Sequence, residues 1–178
     1  MEWIKVYGAL LGKEAEAEAM FQKEKERLEP VLGKEPLGKT VAFFYITSKG
    51  TVNVRKPDDY VAKMIELAGG TYILGEIDAE ENALSTTNMQ LEAFYQAAKD
   101  ADCLIYNSTT TGELDSMEDL LEKWAPLKDF KAVQQNNVWC TEENLFQETM
   151  GLGEMILDIH RVLSEEKPEG LTYLKPLR

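Results

Sequence analysis

Apolar residues recur at helical spacing through the first thirty positions of the chain. The spacing predicts one continuous helix over residues 2 to about 29, roughly 40 Å long. Four helix-breaking residues follow and predict a linker. We therefore divide the chain into a long helix, residues 1–32, and a lobe, residues 33–178. The recurring apolar residues are Trp3, Tyr7, Leu10, Leu11, Ala17, Met20, Phe21 and Leu28, and the breakers are Pro30, Gly33, Pro36 and Gly38.

Short apolar runs bounded by turn residues predict strands beyond the linker. The longest runs cover residues 40–46, 103–107 and 137–141, and shorter ones cover 51–54 and 72–74. Helical patterns separate these runs. The alternation predicts an α/β lobe, in which a small parallel sheet carries helices on both faces.

The predicted helices begin at recognisable signals. Pro57 opens one that Gly69-Gly70 ends. An acidic loop is predicted at 75–84, and residues 142–164, after the last strand, are predicted to be largely helical. Two further starts are predicted from capping-box spacing, Thr87 with Gln90 and Ser116 with Asp119.

The net charge of −13 belongs to one stretch of the chain. Residues 58–122 contain 15 acids and two bases, Lys63 and Lys99, so that 17 acids and 17 bases remain outside this stretch. Neutralising phosphates requires a basic stripe, and an anionic membrane repels acidic surfaces. The charge pattern therefore argues against binding to nucleic acid and against electrostatic docking on a membrane.

The sequence lacks the common signatures of catalytic and metal sites. It has no Walker A loop, no GxSxG elbow and no HExxH motif. His160 has no second histidine or cysteine near it, and we interpret it as a packing or helix-surface residue. Asp100 and Asp102 flank a helix end and a strand start, where solvated charge is ordinary. We therefore expect no enzymatic activity and no intrinsic metal or cofactor.

The two cysteines lie in strand-like runs. Cys103 and Cys140 are 37 residues apart, so they form no CxxC unit. We predict that both are small buried residues. A disulfide between adjacent strands is the alternative.

Binding chemistry is concentrated in three loops. In open α/β sheets, ligands bind beyond the carboxyl ends of the strands, which here are the loops after Ile46, Asn107 and Trp139. Aromatic rings and small hydroxyls suit a broad, partly polar ligand. The alternative is that the Ser/Thr run is a turn bonded to its own backbone. The candidate residues are Tyr45, Thr47, Ser48, Lys49, Asn107, Ser108, Thr109 and Trp139, with Thr110, Thr141 and Phe146 beside them.

Six segments follow one another in a recognisable order: 11–17, Lys39 to Phe43, Leu67 to Gly70, Ala101 to Ile105, Phe130 to Val133 and Asn137 to Trp139. Their order resembles the class III substrate-binding proteins of ABC importers, which include receptors for iron-siderophores, haem and cobalamin. The resemblance extends over the whole chain but matches only the spanning helix and the C-terminal lobe of that family. It implies a long helix that normally packs on two lobes and a ligand held between them.

The resemblance implies two kinds of partner. Without an N-terminal lobe, the face with Trp3, Tyr7 and Leu11 would be exposed, so we expect a homodimer or a polypeptide that supplies the missing lobe. Family members also present a helix glutamate to arginines of the membrane permease. Glu92 matches that position, and Glu113 or Glu118 are alternatives.

The resemblance also implies a transported ligand: an iron-siderophore, haem or a corrinoid. A tyrosine can ligate haem iron, and Tyr45 lies where the first lobe strand meets the cleft. Packing within its apolar strand is the competing interpretation of Tyr45. Lys49, Arg55 and Lys56 form the nearest basic cluster in the sequence and could contact anionic groups.

The remaining expectations concern location and rival functions. The first residues lack the basic and apolar regions of a signal peptide, so this sequence by itself predicts no export, whereas the family implies an extracytoplasmic parent protein. The main rival function is a truncated lobe that dimerises and binds nothing. A weaker rival is an α/β enzyme or sensor on the same scaffold.

Overall fold

The computed structural model describes residues 2–77, 84–142, 151–165 and 167–178. The described strands are β1 (Lys39–Ile46), β2 (Thr51–Arg55), β3 (Gly70–Tyr72), β4 (Thr86–Gln90), β5 (Cys103–Tyr106), β6 (Val138–Thr141) and β7 (Leu174–Pro176). The described helices are α1 (Trp3–Leu11), α2 (Glu14–Leu28), α3 (Tyr60–Leu67), α4 (Leu91–Ala98), α5 (Met117–Lys123), α6 (Lys131–Gln134) and α7 (Leu152–Ser164), with a 3₁₀ turn at Ala125–Asp129.

The described strands form one seven-stranded sheet in the order β4-β2-β1-β5-β6-β7. Strand β3 pairs with the first residues of β1, on the side where β2 pairs with its last residues. The α/β architecture is confirmed. The sheet is mixed, because β1, β3, β5 and β6 pair in parallel whereas β2, β4 and β7 pair antiparallel with their neighbours. Antiparallel outer strands are common on parallel α/β sheets.

The core lies on both faces of the central strands. An aromatic cluster joins the sheet to α4 and the 3₁₀ turn, with ring centroids of Phe44 and Phe94 4.7 Å apart and those of Phe94 and Phe130 5.7 Å apart. Helix α7 packs on α3 and α2. There, His160 Nδ1 lies 2.9 Å from the Ala68 carbonyl, so the prediction of a packing histidine is confirmed.

The prediction of one long N-terminal helix is wrong. Gly12 adopts φ 64° and ψ 34°, a left-handed conformation that ends α1, and the Lys13 amide donates to the Gly8 carbonyl at 2.8 Å. Helix α1 then folds back on α2. A Cβ atom on Gly8 would lie 2.5 Å from the Ala17 Cβ, so the two helices approach closely where small residues meet. Residues 3–28 therefore form a helical hairpin and not a 40 Å helix.

The two capping-box predictions have different outcomes. Ser116 caps α5 and Asp119 completes the box, as predicted. Thr87 instead lies in β4, which pairs antiparallel with β2, and Asn53 donates to Asn88 Oδ1 at 2.9 Å across that pair. Helix α4 begins only at Leu91. Pairing with β2 therefore overrides the local capping pattern.

Both cysteines are fully buried and form no disulfide, which confirms the prediction of small buried residues. Strand register explains why they do not meet, since Cys140 lies opposite Tyr106 and not opposite Cys103. Burial raises the pKa of the Cys103 thiol, and the charge of Asp102 raises it further.

The predicted helix at 142–164 corresponds in part to α7, and residues 143–150, with Phe146, lie outside the described residues. The acidic loop at 75–84 also falls largely outside them. No helix within the described ranges is long and apolar enough to cross a bilayer.

Candidate ligand-binding cleft

An open cleft of about 670 Å³ lies at the carboxyl ends of β1 and β5. Both central strands run parallel, so the loops that follow them emerge at the same end of the sheet. The structure thus brings together two of the three predicted loops. The lining residues are Tyr45, Ile46, Thr47, Ser48, Thr110, Thr111 and Lys123.

The hairpin between β1 and β2 forms one wall of the cleft. The Thr47 amide donates to the Thr51 carbonyl at 2.8 Å, and the two threonine hydroxyls are 2.8 Å apart. These bonds close the turn at Ser48-Lys49-Gly50. Ser48 lines the cleft, whereas Lys49 lies exposed at the hairpin tip and is not among the lining residues.

The loop after β5 begins with polar residues that bond to their surroundings. Asn107 Oδ1 accepts hydrogen bonds from the Thr109 hydroxyl at 2.7 Å and the Thr109 amide at 3.3 Å. The Ser108 amide donates to Thr141 Oγ1 at 3.0 Å, and the Ser108 hydroxyl donates to the Thr141 carbonyl. The Asn107–Thr109 bonds fit the interpretation of a turn bonded to itself, whereas Ser108 is bonded to β6. Thr110 and Thr111, which follow, line the cleft.

Tyr106 is buried behind the cleft lining and contacts two of the lining residues. Its hydroxyl lies 2.8 Å from Thr111 Oγ1, and Lys123 Nζ lies 5.8 Å from the centre of its ring. Burial raises the pKa of Tyr106, so its phenol stays neutral. The sequence reasoning missed Lys123. Two features of the sequence could have pointed to Lys123: it ends a helix that begins with a capping box, and it is the first basic residue after the acidic stretch 58–122.

Trp139 lies away from the cleft, contrary to the sequence prediction. Its indole Nε1 donates to Asn137 Oδ1 at 2.7 Å, and its ring lines a separate cavity of about 420 Å³ that also contains Lys39 and Asn136. Trp139 is the second residue of β6, and its bond to Asn137 places its indole near the amino end of the strand. Thr141, at the other end of the strand, contacts Ser108 instead.

The basic cluster expected from Lys49, Arg55 and Lys56 does not form. Arg55 lies four residues beyond Thr51, about 13 Å further along β2. There its guanidinium is 3.8 Å from Asp59 and lies over the rings of Phe43 and Tyr60. Arg55 is thus part of the α3 packing and not of the cleft.

Asp102 joins the amino ends of the central strands. Its carboxylate accepts the Thr40 amide at 2.8 Å, the Thr40 hydroxyl at 3.0 Å and Lys131 Nζ at 2.7 Å. Burial opposes the charge, but the bonds from Lys131 and Thr40 outweigh it and lower the pKa of Asp102. The interpretation of Asp102 as ordinary solvated charge is therefore wrong, whereas Asp100 is exposed as expected.

The glutamates considered for a permease contact have different surroundings. Glu92 is exposed in the first turn of α4. Gln90 pairs with Thr51, so this turn begins at the cleft end of the sheet. Glu118 is also exposed, whereas Glu113 forms an ion pair with Lys175. Glu92 therefore remains an accessible candidate on the cleft side.

One curated relative aligns with nearly the whole chain. No protein-family profile matches the chain. An uncharacterised lipoprotein of Methanocaldococcus jannaschii is 30% identical over 175 residues, which is 95% of this chain and 40% of the relative. The chain thus spans well under half the length of that relative.

Solved structures share the fold at low sequence identity. A structure of an Fe³⁺-hydroxamate transport system from Saccharomonospora viridis matches 92% of this chain and 55% of its own, with a TM-score of 0.72 and 18% identity. The periplasmic haem-binding protein HutB of Vibrio cholerae matches 89% of this chain and 60% of its own, with a TM-score of 0.69 and 16% identity. A Bacillus subtilis periplasmic binding protein of a Fep/Fec-like ferrichrome transporter matches 93% of this chain and 64% of its own, with a TM-score of 0.66 and 18% identity.

These structures define the class of fold. The chain has the fold of the class III periplasmic binding proteins, which confirms the resemblance noted in the sequence. It spans 55 to 64% of the solved chains. These proteins are named as transport and binding proteins.

Proposed function

We propose that this chain is part of the substrate-binding protein of an ABC importer, and that its cleft binds an iron-siderophore, haem or a corrinoid. The observation that carries the proposal is the cleft itself. It lies at the carboxyl ends of parallel strands, where α/β folds bind ligands, and its wall includes several hydroxyls, a tyrosine ring and a lysine. The solved structures with this fold include proteins named for iron-hydroxamate and haem.

We further propose that the parent protein acts outside the cytoplasm. Similar structures are named as periplasmic proteins, and the curated relative is named as a lipoprotein. Cell fractionation of the native host with an antibody against this chain tests the location. Recovery in the cytoplasmic fraction alone would contradict it.

Binding of haem is the version of the proposal with the clearest spectroscopic test. Haem added to the chain should give a shifted Soret band, and Tyr45→Phe should alter that band if the phenol ligates the iron. Tyr60→Phe is the matched control, because Tyr60 lies at the start of α3, outside the cleft lining. An unshifted Soret band, or one indifferent to Tyr45→Phe, would discard ligation by Tyr45.

We propose Glu92 as the residue that contacts the permease. It is exposed at the cleft end of the sheet, where a partner that receives the ligand would approach. Glu92→Arg should abolish import in cells and leave ligand affinity unchanged. Glu26→Arg, at an exposed position on α2, is the control and should preserve both. Loss of ligand affinity in Glu92→Arg would place the residue in the cleft instead.

The outer face of α1 supports a second part of the proposal. Trp3, Tyr7 and Leu10 follow one another at helical spacing, and between 61% and 75% of each side chain is exposed. Helix α1 packs mainly on α2, so this face has little other cover. Large apolar patches of this kind mark association sites. Because the face contains no carboxylate in a chain of charge −13, we propose that a second copy covers it.

Light scattering tests this association. The chain should be a dimer, Leu10→Asp should make it a monomer, and Leu84→Asp, at another exposed leucine, should leave it a dimer. A monodisperse monomer would contradict self-association and favour a lobe supplied by another polypeptide. A dimer that binds none of the ligands would favour the rival function, a non-binding interaction module.

A further inference from the structure

Lys123 is the one charged residue among the described residues that line the cleft. The other lining side chains are hydroxyl-bearing, apart from Ile46. The surrounding chain has a net charge of −13, and the 65 residues before Lys123 contain nearly half of its acids. A cation at the cleft wall therefore contrasts in sign with the rest of the lobe.

Lys123 forms no ion pair with a carboxylate in the described part of the chain. Hydrogen bonding with Ser116 is the main cause of the lowered pKa of Asp119, and the charge of Lys123 contributes only weakly to it. The nearest acid along its helix, Asp119, accepts the amides of Asp115 and Ser116 at 3.0 Å and 2.9 Å. That carboxylate is thus engaged in the helix cap. The amine remains available to a group that enters the cleft.

The surroundings of Lys123 hold its amine toward the cleft. Nζ lies 5.8 Å from the centre of the Tyr106 ring, within the range of a cation–π contact. Tyr106 is fixed in turn by its hydrogen bond with Thr111, which itself lines the cleft. Hydroxyls of Thr47, Ser48 and Thr110 lie around the same opening and can donate to oxygen atoms.

We infer that Lys123 binds a carboxylate of the ligand and so restricts the cleft to anionic, carboxylate-bearing ligands. This inference rests on the proposed binding function. Among the ligand classes in that proposal, it selects haem, with its propionates, and carboxylate siderophores over neutral hydroxamate complexes and corrinoids. A charge-assisted hydrogen bond is roughly twice as strong as a neutral one, which is enough to favour a charged ligand over a neutral one.

The test is a set of binding titrations followed by tryptophan fluorescence, with haemin, ferric citrate, neutral ferrichrome and cyanocobalamin as probes. The wild type should bind haemin or ferric citrate more tightly than the two neutral probes. Lys123→Gln should lower the affinity for the anionic probe about tenfold or more, because one charge-assisted hydrogen bond is lost. Lys123→Arg should retain most of the affinity. Lys128→Gln, an exposed lysine in the 3₁₀ turn outside the cleft lining, is the control and should change nothing.

Each outcome separates the inference from the proposed function. Two outcomes would overturn the inference and leave the binding function standing. One is tighter binding of a neutral probe than of an anionic one. The other is unchanged affinity for the anionic probe in a Lys123→Gln variant whose circular dichroism spectrum matches that of the wild type. Failure of every probe to bind the wild type would overturn both. Raising the salt concentration gives an independent measure. It should lower the affinity of the wild type for the anionic probe more than it lowers the affinity of the Lys123→Gln variant.

Discussion

The two ends of the sheet use similar polar residues in opposite ways. At the amino end, Asp102 accepts two bonds from Thr40 and one from Lys131. At the carboxyl end, threonines and a lysine line an open cleft of about 670 Å³. Residue type alone therefore does not separate a structural cluster from a binding surface. The two ends differ in whether a carboxylate accepts hydrogen bonds from the neighbouring donors, as Asp102 does at the amino end.

Removal of Asp102 should give the largest loss of stability. Asp102→Ala leaves the Thr40 amide and the Lys131 amine without their partner, and we expect the free energy of unfolding to fall by about 2 to 3 kcal/mol. Urea denaturation measures this change. Asp100→Ala, at the neighbouring exposed acid, should stay within about 0.5 kcal/mol of the wild type. Equal effects of the two substitutions would refute the structural role of Asp102.

Ser108→Ala tests whether the carboxyl end also contains stabilising bonds. Ser108 is buried and joins Thr141, so its loss should lower the free energy of unfolding by about 1 to 2 kcal/mol. Ser48→Ala, in the exposed hairpin, should have almost no effect on urea denaturation. If Ser108→Ala is equally silent, the loop after β5 is held by other contacts and the contrast between the ends is sharper than described.

Acid should reduce the difference between wild type and an Asp102 variant. The folded-state pKa of Asp102 is lowered, so its carboxylate stabilises the fold above the ordinary carboxyl pKa of about 4 and loses that effect as the pH falls through the folded-state value. The stability advantage of the wild type over Asp102→Asn should therefore be full near pH 7 and shrink below about pH 4. An advantage that grows in acid would have the wrong sign.

Substitutions in the cleft should have the smallest effects on stability. Tyr45→Phe and Lys123→Gln remove groups that line open space, and thermal denaturation should place both within about 0.5 kcal/mol of the wild type. Ligand affinity should respond to Lys123→Gln all the same. A large loss of stability in either variant would show that the cleft end also holds the fold together.

The sequence predicted the central strands and the meeting of the loops after β1 and β5 at one end of the sheet. Continuous apolar runs such as Val41 to Phe44 and Leu104 to Tyr106 are long enough to be buried strands, and the parallel order brings their loops to one end. Trp139 was placed wrongly because a residue within a strand can extend toward either end. Its partner, Asn137, is fixed only by the register of β6.

Tertiary contacts decided the other features that the sequence could not. Gly12 could interrupt or continue a helix, and the close packing of Gly8 on Ala17 favours the interruption. Thr87 and Gln90 fit a cap, yet the edge of β2 offers a ladder of backbone bonds. Lys123 is unremarkable in the sequence, because only the fold brings it to Tyr106.

Strand β1 pairs with β2, β3 and β5, so its backbone belongs to three ladders at once. Its central residues, Ala42 to Phe44, are buried and pair with β5, so detachment of the outer strands β2 and β4 leaves those pairs intact. In deuterium exchange, the amides of Ala42 to Phe44 should therefore exchange only when the whole lobe unfolds, and their rates would report its global stability. The α1–α2 hairpin should exchange much sooner, because α1 packs mainly on α2 and exposes most of its residues.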